Sequence, residues 1–201
     1  MSRRVVLATR NRHKVVEVSR ILADAAQDVD LVGLDAFPDA PDVAETGLTF
    51  EENALLKARA ISRATGLPAI ADDSGLAVDV LGGMPGIFSA RWAGGHGDDL
   101  ANLKLLLAQL SDVAAANRAA AFVCAAAVAM PNGAEEVVRG ELRGSIAKAP
   151  RGSNGFGYDP VFVPDGESRT TAEMEPSEKD AISHRGVAFR VLAEHLGTFA
   201  G

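Results

Sequence analysis

Residues 119–146, AAAFVCAAAVAMPNGAEEVVRGELRGSI, decide the fold. Two long segments, Ala119 to Met130 and Glu135 to Ile146, flank Pro131-Asn132-Gly133. Asn-Gly between two such runs signals a hairpin, because both residues tolerate the positive φ of a tight turn. The second half of the chain is therefore built around one long antiparallel pair. Outward on the C-terminal side, Arg151 to Tyr158 is a glycine-rich loop and Val161 to Val163 a short strand. Pro176 breaks the chain, and a last helix carries Ala188, Val191, Leu192 and His195 on one face. On the N-terminal side, Leu100, Leu103, Leu107 and Leu110 mark an amphipathic helix. The alanine-rich stretch from Ala114 to Ala121 reads as a linker or frayed helix end.

The first half alternates strands with helices. Arg4 to Ala8 reads as a buried strand, and Val15, Val18, Ile21, Leu22 and Ala25 recur at helical spacing, so a helix runs from Asn11 to Ala25. Asp30 to Leu34 is a second strand, and a Pro- and Asp-rich loop follows from Phe37 to Gly47. Thr49 and Glu52 have the spacing of a capping box, and the helix they open stops at Gly66 and Pro68. Pro68 to Ala71 forms a strand that delivers a turn, Asp72-Asp73-Ser74-Gly75, before another strand from Leu76 to Leu81. Gly82 to Gly86 and Gly94 to Gly97 are turns. Alternation followed by a hairpin gives an α/β fold with a mixed sheet.

The chain of 201 residues fits one domain spanning 1–201. Cys124 is its only cysteine, so an internal disulfide and a thiolate metal cluster are excluded and a reducing compartment is expected. Arg3 and Arg4 precede an apolar run that Thr9-Arg10-Asn11-Arg12 ends too early for a signal peptide. No apolar stretch is long enough to span a membrane, which points to the cytoplasm. A net charge of −7 argues against a protein that coats a nucleic-acid polymer. A small anion needs only a few local cations. These stand in groups: Arg10, Arg12 and Lys14, then Lys57, then Lys179 and Arg185.

Five segments can carry chemistry. Thr9-Arg10-Asn11-Arg12-His13-Lys14 is a strand-to-helix turn whose backbone N–H groups and helix dipole suit a phosphate; read singly, it is equally a solvated surface turn. Asp72-Asp73-Ser74 at a strand's carboxyl end suits a hard cation, which binds one or two carboxylates plus water and phosphate oxygens. The same residues are also ordinary turn formers. Glu45 offers a second carboxylate, and Asn53 and Lys57 share one helix face at a spacing of four. Gly155-Phe156-Gly157-Tyr158-Asp159-Pro160 lets backbone and an aromatic ring approach a flat ligand. Lys179 and Ser183-His184-Arg185-Gly186 gather donors near a helix start, although a lone histidine is more often structural.

In order and wording, these segments resemble the inosine triphosphate pyrophosphatase family. The matching stretches are Leu7-Ala8-Thr9-x-Asn11-x-x-Lys14, Glu45 to Ala58, Ala71 to Val80 continuing to Ser89-Ala90-Arg91, Gly155 to Pro160, and Glu178 to Gly186. The resemblance implies a two-lobed domain with an elongated central mixed β-sheet flanked by helices and a substrate cleft between the lobes. It implies hydrolysis of ITP, dITP and XTP to the monophosphate and pyrophosphate, with Mg²⁺ as cofactor and a homodimer as the assembly. By position, Asp73 resembles the catalytic base and a Mg²⁺ ligand, Glu45 the second metal carboxylate, and Lys14 and Lys57 catalytic cations. Substrate contacts carry over to Thr9, Arg10, Asn11, Arg12, His13, Lys14, Asn53, Ser74, Phe156, Gly157, Tyr158, Asp159, Lys179, His184 and Arg185. The exposed apolar residues from Met84 to Trp92 are a candidate dimer face. Arg10 departs from the family pattern, which commonly has Gly there. If that position requires φ > 0, arginine is strained; otherwise it adds a cation near the phosphates. Two other readings stand beside this one: a pyrophosphatase acting on another modified nucleotide, and a nucleotide-binding module without turnover.

Overall fold

The computed structural model describes residues 3–25 and 29–198, apart from the side chains of residues 24, 197 and 198. The strands are β1 (Arg3–Leu7), β2 (Val29–Gly33), β3 (Ala69–Val78), β4 (Met84–Pro85), β5 (Ala119–Ala129), β6 (Glu135–Ile146) and β7 (Phe162–Pro164). The α-helices are α1 (Arg12–Ala25), α2 (Phe50–Thr65), α3 (Asp99–Gln109), α4 (Pro176–Ile182) and α5 (His184–Thr198). The strands form one sheet in the order β2-β1-β3-β5-β6-β7, with β4 paired to β3. β1 pairs in parallel with β2 and with β3, whereas β3–β4 and β6–β7 are antiparallel. The sheet is mixed and helices flank it, as the alternation and the hairpin predict.

The chain divides into two compact units. One comprises the described residues of Met1–Asp73, Cys124–Gly140 and His184–Gly201, the other Ser74–Val123 and Glu141–Ser183. β3, β5 and β6 each pass from one unit into the other. The first unit has its own apolar core, in which Val5, Leu7 and Ile70 of the strands meet Val18 and Leu22 of α1 and Phe189 and Leu192 of α5. In the second, Leu76, Leu103, Leu106, Phe122, Tyr158 and Phe162 form a separate core.

Local chemistry explains the boundaries of α2. The Thr49 hydroxyl accepts the N–H of Glu52, and the chain leaves the helix through Gly66 at φ 68°, a left-handed conformation that glycine adopts without a Cβ penalty. In the hairpin, the carbonyl of Met130 accepts from Gly133 and its N–H donates to Ala134.

The structure corrects several expectations. Asp72-Asp73-Ser74 is not a turn: it lies inside the ten-residue strand β3, which joins the two strands expected on either side. Cationic and amide partners for both carboxylates, described below, make a strand interior tolerable for them. Beyond β3, Asp79–Leu81 is a 3₁₀ turn rather than strand. The buried stripe of α3 is Leu103 and Leu106 leading to Leu110, while Leu100 is exposed, because the helix turns a different set of leucines inward. On α5 the buried face is Ala188, Phe189, Leu192 and Leu196, and Val191 points out. The stretch expected as linker ends in β5. Its Arg118 is buried and donates to the carbonyls of Leu110, Val113, Ile146 and Ala147, which satisfies the end of α3.

Candidate active site

Successive residues of a strand point to opposite faces, so Asp72 and Asp73 serve different neighbours. On one face, Asp72 Oδ2 accepts from Lys14 Nζ of α1 at 2.8 Å and from Arg185 Nε and Nη2 of α5 at 3.4 Å. Arg185 also donates to Glu17 Oε2. Asp72, Glu17 and Arg185 are all buried. Burial opposes ionisation of Asp72, yet Lys14, Arg185 and Lys57 together hold its carboxyl far below the usual carboxylate range. The guanidinium of Arg185 is held above its ordinary value: burial works against its charge, and Asp72 and Glu17 outweigh it.

On the other face, α2 holds both oxygens of Asp73. Asn53 Nδ2 donates to Oδ2 at 3.1 Å, and Lys57 Nζ lies 3.3 Å from Oδ1 and 2.9 Å from Glu45 Oε1. The i, i+4 spacing of Asn53 and Lys57 brings them to one carboxylate. Burial lifts the Asp73 carboxyl above the ordinary value. Lys57 and Lys14 pull the other way, Glu45 adds to the rise, and the Asn53 amide opposes it. For Lys57, burial disfavours the ammonium, but Asp73, Asp72 and Glu45 raise its pKa above that of a free lysine.

Among the described residues, no group of three or more His, Cys, Asp or Glu side chains forms a metal cage. The donors that are present are the carboxylates of Glu45 and Asp73, bridged by one ammonium. Such a pair fits Mg²⁺, which prefers one or two carboxylates and fills its remaining positions with water and substrate oxygens.

The strand-to-helix turn is ordered by its own side chains. Thr9 Oγ1 accepts the N–H of Asn11, and Asn11 Oδ1 caps α1 by accepting from His13 and Lys14. Arg12 and His13 are exposed. No described residue other than glycine has a positive φ, so Arg10 stands unstrained where glycine was expected. Its guanidinium donates to Asp42 Oδ1 and to the carbonyl of Ala40, both at 3.0 Å.

In the second unit, Asp159 organises the glycine-rich loop. Its Oδ2 accepts from the Phe156 N–H at 2.8 Å and from Lys179 Nζ at 2.7 Å, and its Oδ1 accepts from Thr171 Oγ1 at 2.8 Å. Lys179 Nζ sits 5.3 Å from the centroid of the half-buried Phe156 ring, within cation–π range. Gly157 N–H donates to Asp99 Oδ2, and Tyr158 turns its hydroxyl inward onto the carbonyl of Ser89. Burial, with Asp99 adding to it, pushes the Tyr158 phenol well above its normal value. Ser74 is half-buried on β3. His184 is buried at the start of α5, where a Cβ on Gly140 would come within 2.1 Å of its carbonyl oxygen.

Sequence reasoning missed Glu17, Asp99 and Thr171. Glu17 had a signal: it stands on the apolar stripe of α1 beside Val18 and Ile21, where a charge requires a partner. Thr171 and Asp99 had none, since each meets its partner only through the fold.

A family model described as the Ham1 family matches residues 5–195. A Streptomyces avermitilis protein named dITP/XTP pyrophosphatase is 67% identical over 189 residues, covering 94% of each chain. A crystal structure from Mycobacterium abscessus, of a nucleoside-triphosphatase / dITP/XTP pyrophosphatase, is 56% identical with a TM-score of 0.77, covering 94% of this chain and 98% of that one. A HAM1 protein from Coxiella burnetii is 41% identical with a TM-score of 0.87, covering 98% of this chain and 99% of its own. These likenesses span both units, and with them the chain belongs to the Ham1 family.

Proposed function

We propose that the protein hydrolyses non-canonical purine nucleoside triphosphates (ITP, dITP and XTP) to the monophosphate and pyrophosphate, clearing them from the cytoplasmic nucleotide pool. Full-length relatives that carry the name dITP/XTP pyrophosphatase support the substrate class. The observation that carries the chemistry is Asp73: a buried carboxyl with a raised pKa, held at both oxygens by Asn53 and Lys57 beside a second carboxylate.

Asp73 takes the proton from a water that attacks the α-phosphorus, and its raised pKa brings it closer to the operating pH of such a base. Lys57 and Lys14 stabilise the charge that develops on the phosphate oxygens, where preorganised cations contribute most. Substrate would draw Lys14 from Asp72, leaving Arg185 as the partner that keeps Asp72 ionised. The Thr9 to Lys14 turn receives the distal phosphates through the Arg12 and Lys14 cations and the positive end of the α1 dipole, since Thr9 and Asn11 already take the amides of Asn11, His13 and Lys14. Mg²⁺, held by Glu45 and Asp73, would neutralise phosphate charge and lower the pKa of bound water.

On the base side, Phe156 stacks on the purine with the Lys179 ammonium as a donor. A six-position carbonyl, as in hypoxanthine and xanthine, accepts from donors, whereas the amino group of adenine would leave them unpaired. Met84 and Phe88, exposed large apolar residues on one segment, suit the dimer face of a homodimer.

The test is a panel of inosine, xanthosine, adenosine, guanosine and thymidine triphosphates with and without Mg²⁺, with pyrophosphate and orthophosphate measured separately. Pyrophosphate from the inosine and xanthosine forms, only with Mg²⁺, is expected. A preference for thymidine triphosphate overturns the purine reading, and orthophosphate as the product overturns attack at the α-phosphorus. Light scattering of the purified chain checks the dimer.

A further inference from the structure

The contacts around Asp73 close into a ring. Asp73 Oδ1 faces Lys57, Lys57 also holds Glu45, and the chain runs from Glu45 through Thr46 to Gly47. Gly47 N–H donates to Asn53 Oδ1 at 2.8 Å, and Asn53 Nδ2 returns to Asp73 Oδ2 at 3.1 Å. The assignment of the amide is forced by chemistry. A backbone N–H can only donate, so the oxygen of Asn53 faces Gly47 and its NH₂ faces the carboxylate. Asn53 has no exposed surface, and both ends of its amide are used inside the protein. Gly47 is needed for the approach, because a Cβ there would lie 2.7 Å from Glu52 Cβ and 2.8 Å from Asn53 Oδ1.

We infer that Asn53 is a positioning residue that couples the Glu45 loop to Asp73, rather than a contact for substrate. One neutral side chain fixes the orientation of the Asp73 carboxylate and the path of the segment carrying Glu45. Lys57 supplies charge to the same ring, but its flexible stem cannot set direction as a planar amide does. The inference rests on Asp73 acting as the base proposed above.

Two variants and two readouts test it. Asn53→Leu keeps the volume and removes both hydrogen bonds. Asn53→Asp keeps an oxygen for Gly47 and loses the donor to Asp73. With inosine triphosphate and Mg²⁺, both variants are expected to lose kcat by roughly 10- to 100-fold, with KM within about twofold of the parent, the pattern of an interaction that acts at the reacting centre. Hydrogen exchange without nucleotide or metal supplies the second readout. The Gly47 amide should exchange faster in Asn53→Leu but keep its parental protection in Asn53→Asp, while the amides of β5 stay protected in both. A raised KM with unchanged kcat makes Asn53 a substrate contact and overturns the inference, as does an Asn53→Asp variant with parental kcat. Unchanged Gly47 exchange in Asn53→Leu also overturns it. If Asn53→Leu does not fold, Asn53→Asp decides alone. Should the parent release no pyrophosphate, the proposed reaction fails, whereas the exchange result still decides whether Asn53 holds the loop.

Discussion

Arg185 at the start of α5 and Asp72 in β3 stand 113 residues apart in sequence and meet at 3.4 Å inside one unit, with Glu17 as a third member on the same guanidinium. A cation on a helix start, which the motif alone would aim at a ligand, is here engaged with buried carboxylates.

Arg185→Met should therefore destabilise before it changes anything else. Removing one partner of a buried charge pair typically costs about 3–5 kcal/mol, because the remaining carboxylates are left uncompensated. Urea unfolding measures the loss. A change confined to substrate KM, with stability unaltered, would assign Arg185 to the ligand instead.

Asp72 also makes stability depend on pH, with a sign that follows from its lowered pKa. The unfolded chain titrates it near 3.8, and the folded chain well below that. The stabilisation is complete above the unfolded value and is lost as pH falls below it toward the folded one. Asp72→Asn should lower stability at pH 7 and flatten the acid limb of the stability curve. Thermal melts across the acid range check this.

Asp73 behaves in the opposite sense. Its raised pKa means that holding it ionised opposes folding at neutral pH, so Asp73→Asn should melt at a higher temperature while pyrophosphate release falls by roughly 10²- to 10⁴-fold. In the parent without metal or nucleotide, the Asp73 carboxyl should titrate above the ordinary carboxylate range when followed by NMR. Titration at or below that range removes the raised pKa from the case for Asp73 as base.

Gly155 has φ 74°, and a Cβ there would lie 2.0 Å from Asp159 Oδ2. Gly155→Ala should displace the carboxylate that aligns Phe156 and Lys179. We expect KM for inosine triphosphate to rise roughly tenfold, equivalent to about 1.4 kcal/mol. Parental KM in that variant would show that the loop tolerates the shift.

Arg10→Gly should do little. Arginine there is unstrained, and its ion pair with Asp42 is largely exposed, a class worth about 0–1 kcal/mol. Unfolding within about 1 kcal/mol of the parent is expected.

The sheet and most helix boundaries were legible because caps, periodicity and an Asn-Gly turn act locally. Thr49 and Gly66 frame α2 as their chemistry predicts. The interior of β3 was not legible, since two carboxylates and a serine read locally as turn. Only Lys14, Arg185, Asn53 and Lys57, arriving from three helices, make that segment a strand. The motif positions pointed to the right neighbourhood. They did not say which side chains turn inward, as Asn53, Tyr158 and Arg185 do.

The alternation of Asp72 and Asp73 has a consequence for how this gene can change. One residue inserted or deleted within β3 ahead of them would exchange the faces of the two carboxylates. The acid built to stay ionised beside Arg185 would meet α2, and the proton acceptor would be sealed among cations. A single in-frame codon change of that kind removes stability and chemistry together, so length variation among related genes should fall in the connecting loops and spare this strand.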